Sequence, residues 1–283
     1  MVIETENGLK ILKGQNGYEA LFIDSSRIED CISYLYENNL KRISINPFQG
    51  FHANDLGFLS RLEDYLEGIT ILDEKYDYTI VNHLHKLKSL GILDNKRDAI
   101  DLSNFPHLES LSCDYSPRLK GLEACEELRS LTLTNFKPEK ADLSPLPVLT
   151  SLQSLSLFVT NIDSLAGIER FRHLESCSIY RASKLESIAA LSKVRLTLKS
   201  LELDSCKNIK SYDALSEVVN LERLIISKSA PLKSVKFVKS LDRLDFFSFV
   251  GTNVEDGDLL PSLGVSYVGF DDRKHYNLKF KGL

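Results

Sequence analysis

A short pattern of apolar residues recurs along almost the whole chain and constrains the fold more than any other feature. Each copy has apolar residues at its first, fourth and sixth positions, as in LQSLSL from Leu152 and LKSLEL from Leu198. Such a repeat predicts stacked structural units, because one short turn cannot bury its apolar face alone. Successive copies start 20 to 26 residues apart, at Tyr18, Leu40, Leu66, Leu87, Leu108, Leu128, Leu152, Leu174, Leu198, Leu221, Leu241 and Val265.

These copies resemble leucine-rich repeats over residues 18 to 270, and the short bacterial, internalin-like variety is the most similar. In the copy from Leu152 the further inward positions are Ile162, Leu165, Ile168 and Phe171. The family's Asn after the strand is kept only at Asn95, and the same place elsewhere holds Ser116, Thr160, Cys206 or Ser229. The resemblance implies an α/β repeat solenoid, a leucine-rich-repeat horseshoe. Its concave face would be a parallel β-sheet of about 12 strands, with short helices and 3-10 turns on the convex side.

One domain is expected to span residues 1–283. Residues 1–39 would form the N-terminal cap and first turn, with a hairpin in ILKGQNGYEALFI and an N-capped amphipathic helix in SSRIEDCISYLYENN. Residues 40–264 would form the repeats, and residues 265–283 the C-terminal cap.

Charge and cysteine content restrict the partners and the compartment. The formal net charge is −5, whereas nucleic-acid binders usually carry a basic surplus. No apolar run approaches the roughly 20 residues needed to span a bilayer, and the start MVIETENGLK does not read as a signal peptide. Five cysteines without CxxC spacing favour reduced thiols. We therefore expect a cytoplasmic bacterial protein, a monomer that binds neither nucleic acid nor membrane. Self-association through an incompletely capped end is the alternative to the monomer.

Equivalent positions of successive copies form columns in a stacked repeat protein. The second position alternates in charge, as at Glu67, Lys88 and Glu109, which predicts a ladder of ion pairs between strands. The third position is Ser in six consecutive copies, from Ser89 to Ser200. Small residues there allow close strand packing and leave a shallow trough for a partner.

The seventh and eighth positions, where each strand leaves the concave face, are the predicted partner-binding surface. Their aromatic and charged side chains are typical of interface hot spots. The alternative is that loops cover these residues or that their apolar exposure is incidental. The predicted site comprises Leu93, Asp94, Asp114, Tyr115, Asn135, Phe158, Val159, Tyr180 and Arg181, with Asp204, Lys228 and Phe247 at its edge.

The second turn is the longest and contains NPFQGFHANDLG. Phe48 and Phe51 in this loop either clamp a partner or pack onto the turn as part of the cap.

No cluster of catalytic residues is apparent, so we predict no catalytic residues, no metal ligands and no cofactor. His83 and His85 form an HxH pair without a third ligand nearby. The segment 251–259, GTNVEDGDL, contains three carboxylates but lacks the ligand spacing of an EF-hand, so a turn leading into the cap is favoured. The expected function is a non-catalytic protein-binding module acting through its concave or rim surface, as an inhibitor, immunity-type protein or assembly scaffold. The alternative is an enzyme or metal-binding protein with its site on the second turn or on residues 251–259.

Overall fold

The structure, a computed structural model, describes residues 1–14, 17–72, 76–93, 100–116 and 119–280. The chain divides into two compact units, Met1–Leu128 and Arg129–Leu283. The single-domain organisation over residues 1–283 stays a prediction.

The first unit contains a sheet in which strands follow each other in chain order. The first three strands are antiparallel, and the later ones pair in parallel. This confirms the predicted hairpin, which joins the second strand to the third. The strands are β1 (Val2–Glu4), β2 (Lys10–Lys13), β3 (Glu19–Phe22), β4 (Arg42–Ile45), β5 (Gly68–Leu72), β6 (Ser89–Leu93) and β7 (Ser110–Asp114).

One α-helix, α1 (Ile28–Glu37), follows β3 and packs Cys31, Ile32 and Leu35 into the core. The helix is amphipathic as predicted, but the predicted N-cap is wrong. Arg27 precedes it and makes no side-chain cap. The Ser26 hydroxyl instead donates to Asp24 at 2.7 Å. The 3-10 helices of this unit are Pro47–Gln49, Gly57–Leu62, Thr79–His83, Leu102–Asn104 and Leu122–Ala124.

The second unit contains the remaining repeats, with parallel strands that again follow chain order. The strands are β8 (Ser130–Thr134), β9 (Ser154–Phe158), β10 (Ser176–Tyr180), β11 (Ser200–Asp204), β12 (Arg223–Ser227), β13 (Phe246–Ser248) and β14 (Tyr267–Gly269). Its 3-10 helices are Ile168–Arg170, Ala189–Val194, Asp213–Glu217, Lys236–Ser240 and Leu260–Ser262. Twelve repeat strands, β3 to β14, are thus present within the described residues, as predicted. None of the described helices is long and apolar enough to cross a bilayer.

The predicted start of one repeat is wrong. In the register of β12 with β13, Leu224 lies beside Phe247 and Arg223 beside Phe246. This copy therefore starts at Leu244 and not at Leu241. Phe247 and Phe249 are then its inward residues, and both are fully buried. The frame from Leu241 would instead have turned Phe246 into the core.

A ladder of buried hydroxyl groups follows the strands at the ninth position of the last repeats. The Ser229 hydroxyl accepts a hydrogen bond from Cys206 N at 3.0 Å and contacts Leu203 O at 3.1 Å. The Thr252 hydroxyl accepts from Ser229 N at 3.0 Å and donates to Ile226 O at 2.7 Å. These contacts satisfy backbone groups that are buried away from water. The sequence placed Ser229 at the position of the family's Asn, whereas Thr252 reaches that position only when the repeat starts at Leu244.

Candidate functional site

The outward side of the second unit's sheet is here called the strand face, and consists of the third, fifth and seventh positions of its repeats. From β8 to β10 most of these positions hold small hydroxyl residues that are half-buried: Ser130, Thr132, Thr134, Ser154, Ser156, Ser176 and Ser178. The predicted small residues therefore form a polar floor on this part of the sheet.

Two aromatic rings rise from this floor at the seventh position. Phe158 lies beside Tyr180 in the parallel register of β9 and β10. Their ring centroids are 4.4 Å apart and their planes differ by only 5°. Phe158 is 37% exposed, and Tyr180 is half-buried. The two predicted residues thus form one stacked pair that no loop covers completely.

The eighth position of each repeat from β8 to β12 has a left-handed backbone. Asn135, Val159, Arg181, Ser205 and Lys228 have φ values of 56°, 58°, 54°, 56° and 49°. Asn adopts this conformation readily, but a β-branched Val rarely does. The backbone N–H of Val159 donates to Tyr180 O at 2.9 Å, and that of Arg181 to Asp204 O at 2.9 Å. Asn135, Arg181 and Lys228 at these bends are exposed, and Arg181 directly follows Tyr180 of the aromatic pair.

Two carboxylates border the aromatic pair on β11. Asp204 lies beside Tyr180 in the strand register, and Glu202 lies beside Ser178. Burial raises the pKa of Tyr180, and the hydrogen bond from its hydroxyl to Glu202 raises that pKa further. Sequence reasoning included Asp204 but missed Glu202, because Glu202 occupies the fifth position. The available signal was the alternation of strand residues. Residues two apart lie on the same side of a strand, so Glu202 lies on the same outward side as Asp204.

The first unit contains the residues Leu93, Asp94, Asp114 and Tyr115 of the predicted partner-binding surface. Asp114 ends β7 and is half-buried, as is Tyr115 directly after it. Leu93 ends β6. The prediction for Asp94 lies outside the described residues, as does the Asn95 of the repeat motif.

Phe247 does not belong to the surface, and its prediction as a site residue is wrong. It is fully buried, with its ring centroid 6.0 Å from that of Phe237 and 5.0 Å from that of Phe249. The shifted repeat frame caused this error, since it placed an inward residue at the seventh position. In the correct frame that position holds Val250, which is 43% exposed.

The correct frame also reveals a second aromatic cluster on the strand face. Phe246 and Tyr267 stack with ring centroids 4.5 Å apart. The guanidinium carbon of Arg223 lies 3.9 Å from the Phe246 centroid. All three occupy the third position of their repeats, whereas a repeat starting at Leu241 would have Arg243 at that position.

Charge pairs between neighbouring strands match the predicted ladder at two places. Lys88 contacts Glu67 at 2.9 Å in the first unit, and Lys199 contacts Glu175 at 3.0 Å in the second. In the repeat that starts at Leu244 the second position is Asp245, whose N–H donates to Glu222 O at 2.9 Å. A repeat starting at Leu241 would have Asp242 at this position.

The two Phe residues of the long second turn differ in burial, so packing onto the turn describes only one of them. Phe51 is fully buried, with its ring centroid 5.9 Å from that of Phe58, so it packs onto the turn. Phe48, on the short helix Pro47–Gln49, is 89% exposed.

The loop 251–259 is attached to the C-terminal segment. Asp258 accepts hydrogen bonds from Leu260 N at 3.2 Å and from the Asn277 amide at 2.7 Å. Gly257 has a φ of 64°, and a Cβ there would lie 2.3 Å from His275 O. These contacts favour the turn leading into the cap. Within the described part of the chain, no three His, Cys, Asp or Glu side chains are grouped as a metal site requires.

The cysteines are buried and unpaired. Cys113 and Cys177 occupy inward strand positions, and burial raises the pKa of each thiol to about 12. Their thiolates are therefore suppressed at neutral pH, which disfavours nucleophilic chemistry.

Comparison with known proteins gives matches by structure only. No family model matches the sequence, and no curated protein matches it significantly. The internalin InlF of Listeria monocytogenes aligns with a TM-score of 0.57 and 19% identity, over 91% of this chain and 82% of that chain. A leucine-rich-repeat protein of Leptospira interrogans aligns with a TM-score of 0.49 and 13% identity, over 84% of this chain and 74% of that one. At such identities the similarity to InlF concerns the fold alone.

Proposed function

We propose that this chain, which has the leucine-rich-repeat solenoid fold also found in internalins, is a non-catalytic protein-binding module. The exposed stack of Phe158 on Tyr180 carries this proposal. Large aromatic residues without cover are uncommon on a sheet surface, and they dominate the energetics of protein interfaces. Repeat proteins present such residues on rigid, extended surfaces.

The surroundings of the stack support a protein as the ligand. The floor from β8 to β10 consists of small Ser and Thr side chains, so an extended or folded surface can approach it. Arg181 directly follows Tyr180 and is exposed, and Asp204 lies beside Tyr180 in the strand register. Lys228 is exposed after β12, two strands from Tyr180. This gives an aromatic centre with a charged rim, the usual anatomy of a protein interface.

The compartment and the assembly state are also proposals. Five unpaired, buried thiols support a reducing compartment such as the cytoplasm. We propose a monomer that acts as an inhibitor, an immunity-type protein or a scaffold.

The test is affinity capture from a lysate of the source organism, read by mass spectrometry. The variant Phe158→Ala/Tyr180→Ala should lose a protein that the wild type retains. Leu196→Ala/Val219→Ala is the matched control, since both residues are exposed, apolar and outside the strand face. That control should retain the partner.

Circular dichroism and urea unfolding would show whether each variant is folded. A partner retained by the folded aromatic variant would contradict the proposed surface. Partner loss by the control as well would point to a different apolar contact.

A further inference from the structure

The second unit contains one complete stack of a cation on two aromatic rings. Arg223, Phe246 and Tyr267 extend from the neighbouring strands β12, β13 and β14. The guanidinium carbon of Arg223 lies 3.9 Å from the Phe246 centroid, and Phe246 lies 4.5 Å from Tyr267. The spacing of parallel strands, about 4.8 Å, therefore suits planar groups stacked one per strand.

The Phe158–Tyr180 pair has the same construction but only two members. The next strand on the Tyr180 side is β11, whose residue in register with Tyr180 is Asp204. Asp is much shorter than Tyr, and Asp204 is only half-buried, so a group from outside can approach Tyr180 on this side. Among the described residues, Phe158 is the only aromatic ring stacked on Tyr180.

The electrostatics of this open place favour a cation. Glu202 and Asp204 project outward from the same strand, next to Tyr180. Neither forms an ion pair with a cation of the described part of the chain, although Lys199 and Glu175 are paired in the same sheet. Arg181 and Lys228 are exposed and also lie outside the ion pairs of the described residues. Among the described residues, the Ser205 hydroxyl donates to Asp204 at 2.7 Å, and Glu202 interacts with the Tyr180 hydroxyl, whose pKa it raises.

We propose that the protein partner presents an arginine whose guanidinium lies on Tyr180, above Asp204, and pairs with Asp204 and Glu202. This inference rests on the proposed function and specifies the chemistry of its central contact. A planar guanidinium can stack on a ring and donate to carboxylates at the same time, which the ammonium of lysine does less well. The partner's arginine lies above β11 against Tyr180, just as Arg223 on β12 lies against Phe246.

The test uses three capped tripeptides, Ac-Gly-Arg-Gly-NH2, Ac-Gly-Lys-Gly-NH2 and Ac-Gly-Glu-Gly-NH2, titrated into the full chain at low salt. Binding is followed by amide chemical shifts in NMR spectra. The arginine peptide should shift the amides of β10 and β11, and should bind several-fold more tightly than the lysine peptide. The glutamate peptide should shift none of them.

The variant Glu202→Gln/Asp204→Asn should weaken the arginine peptide at least fivefold. Asp213→Asn/Glu217→Gln removes the same charge from exposed positions on another element and should leave binding unchanged. Equal weakening in both variants would mean attraction by net charge only, and would overturn the inference. Amide chemical-shift changes scattered over the surface, instead of confined to β10 and β11, would also overturn the inference.

The captured partner separates this inference from the proposed function. If Phe158→Ala/Tyr180→Ala loses the partner but Glu202→Gln/Asp204→Asn retains it at full affinity, the binding surface stands and the arginine contact is refuted. If the aromatic variant retains the partner, the proposed surface itself is refuted. Loss of the partner in both variants, with the control intact, supports both.

Discussion

Replacing two adjacent phenylalanines one at a time tests the repeat frame at β13. Phe247 is fully buried between Phe237 and Phe249, whereas Phe246 lies on the strand face against Arg223 and Tyr267. Phe247→Ala removes a whole ring from the core and should cost about 3–5 kcal/mol in the free energy of unfolding. Phe246→Ala removes a partly exposed stack and should cost about 1–2 kcal/mol, mostly from the aromatic pair and the cation contact.

Urea unfolding followed by circular dichroism would give both free energies. Because end repeats can unfold separately from the rest, amide hydrogen exchange of β13 and β14 should accompany it. Exchange should accelerate more in Phe247→Ala than in Phe246→Ala. The reasoning would be refuted if Phe246→Ala lowered the free energy of unfolding as much as Phe247→Ala or more. That result would mean that Phe246 is the buried residue and that the repeat starts at Leu241.

Three further outcomes are expected. Ser229→Ala leaves the N–H of Cys206 without its acceptor and should cost about 1–3 kcal/mol in urea unfolding; an unchanged midpoint would contradict the buried ladder. Val159→Gly should raise the free energy of unfolding by about 0.5–1 kcal/mol, because its φ of 58° strains a β-branched residue but not Gly; a loss of stability would contradict the strain. Burial raises the pKa of the Cys113 and Cys177 thiols from 9.0 to about 12. Above pH 9 the unfolded state therefore releases protons that the folded state retains, and stability present below pH 9 is lost as the pH rises. At pH 10 each thiol should lower stability by roughly 1 kcal/mol. A Cys113→Ala/Cys177→Ala variant should show a shallower fall from pH 8 to pH 10 in thermal unfolding, and an identical fall would exclude these thiols as its cause.

Part of the candidate site followed from the sequence alone. Phe158 and Tyr180 occupy the same place in successive repeats, so stacking of the repeats had to bring them side by side. Their nearly parallel rings and their exposure depended on side-chain positions in three dimensions. Glu202 was not predicted, because the predicted site comprised the seventh and eighth positions of the repeats, whereas Glu202 lies at the fifth position inside β11.

The sequence by itself determined the repeat, its strands and the inward positions of almost every copy, because alternate residues of a strand point to opposite sides and only an apolar side can be buried. Between Leu241 and Phe249 the chain offers two frames three residues apart, and both satisfy that pattern. Only packing against the neighbouring strands decided between them. Leu224 and Val268 lie in register with Phe247, which turns Phe247 into the core and Phe246 onto the surface beside Arg223. Local pattern fixes which residues can be buried, whereas the neighbouring repeats select which of them are.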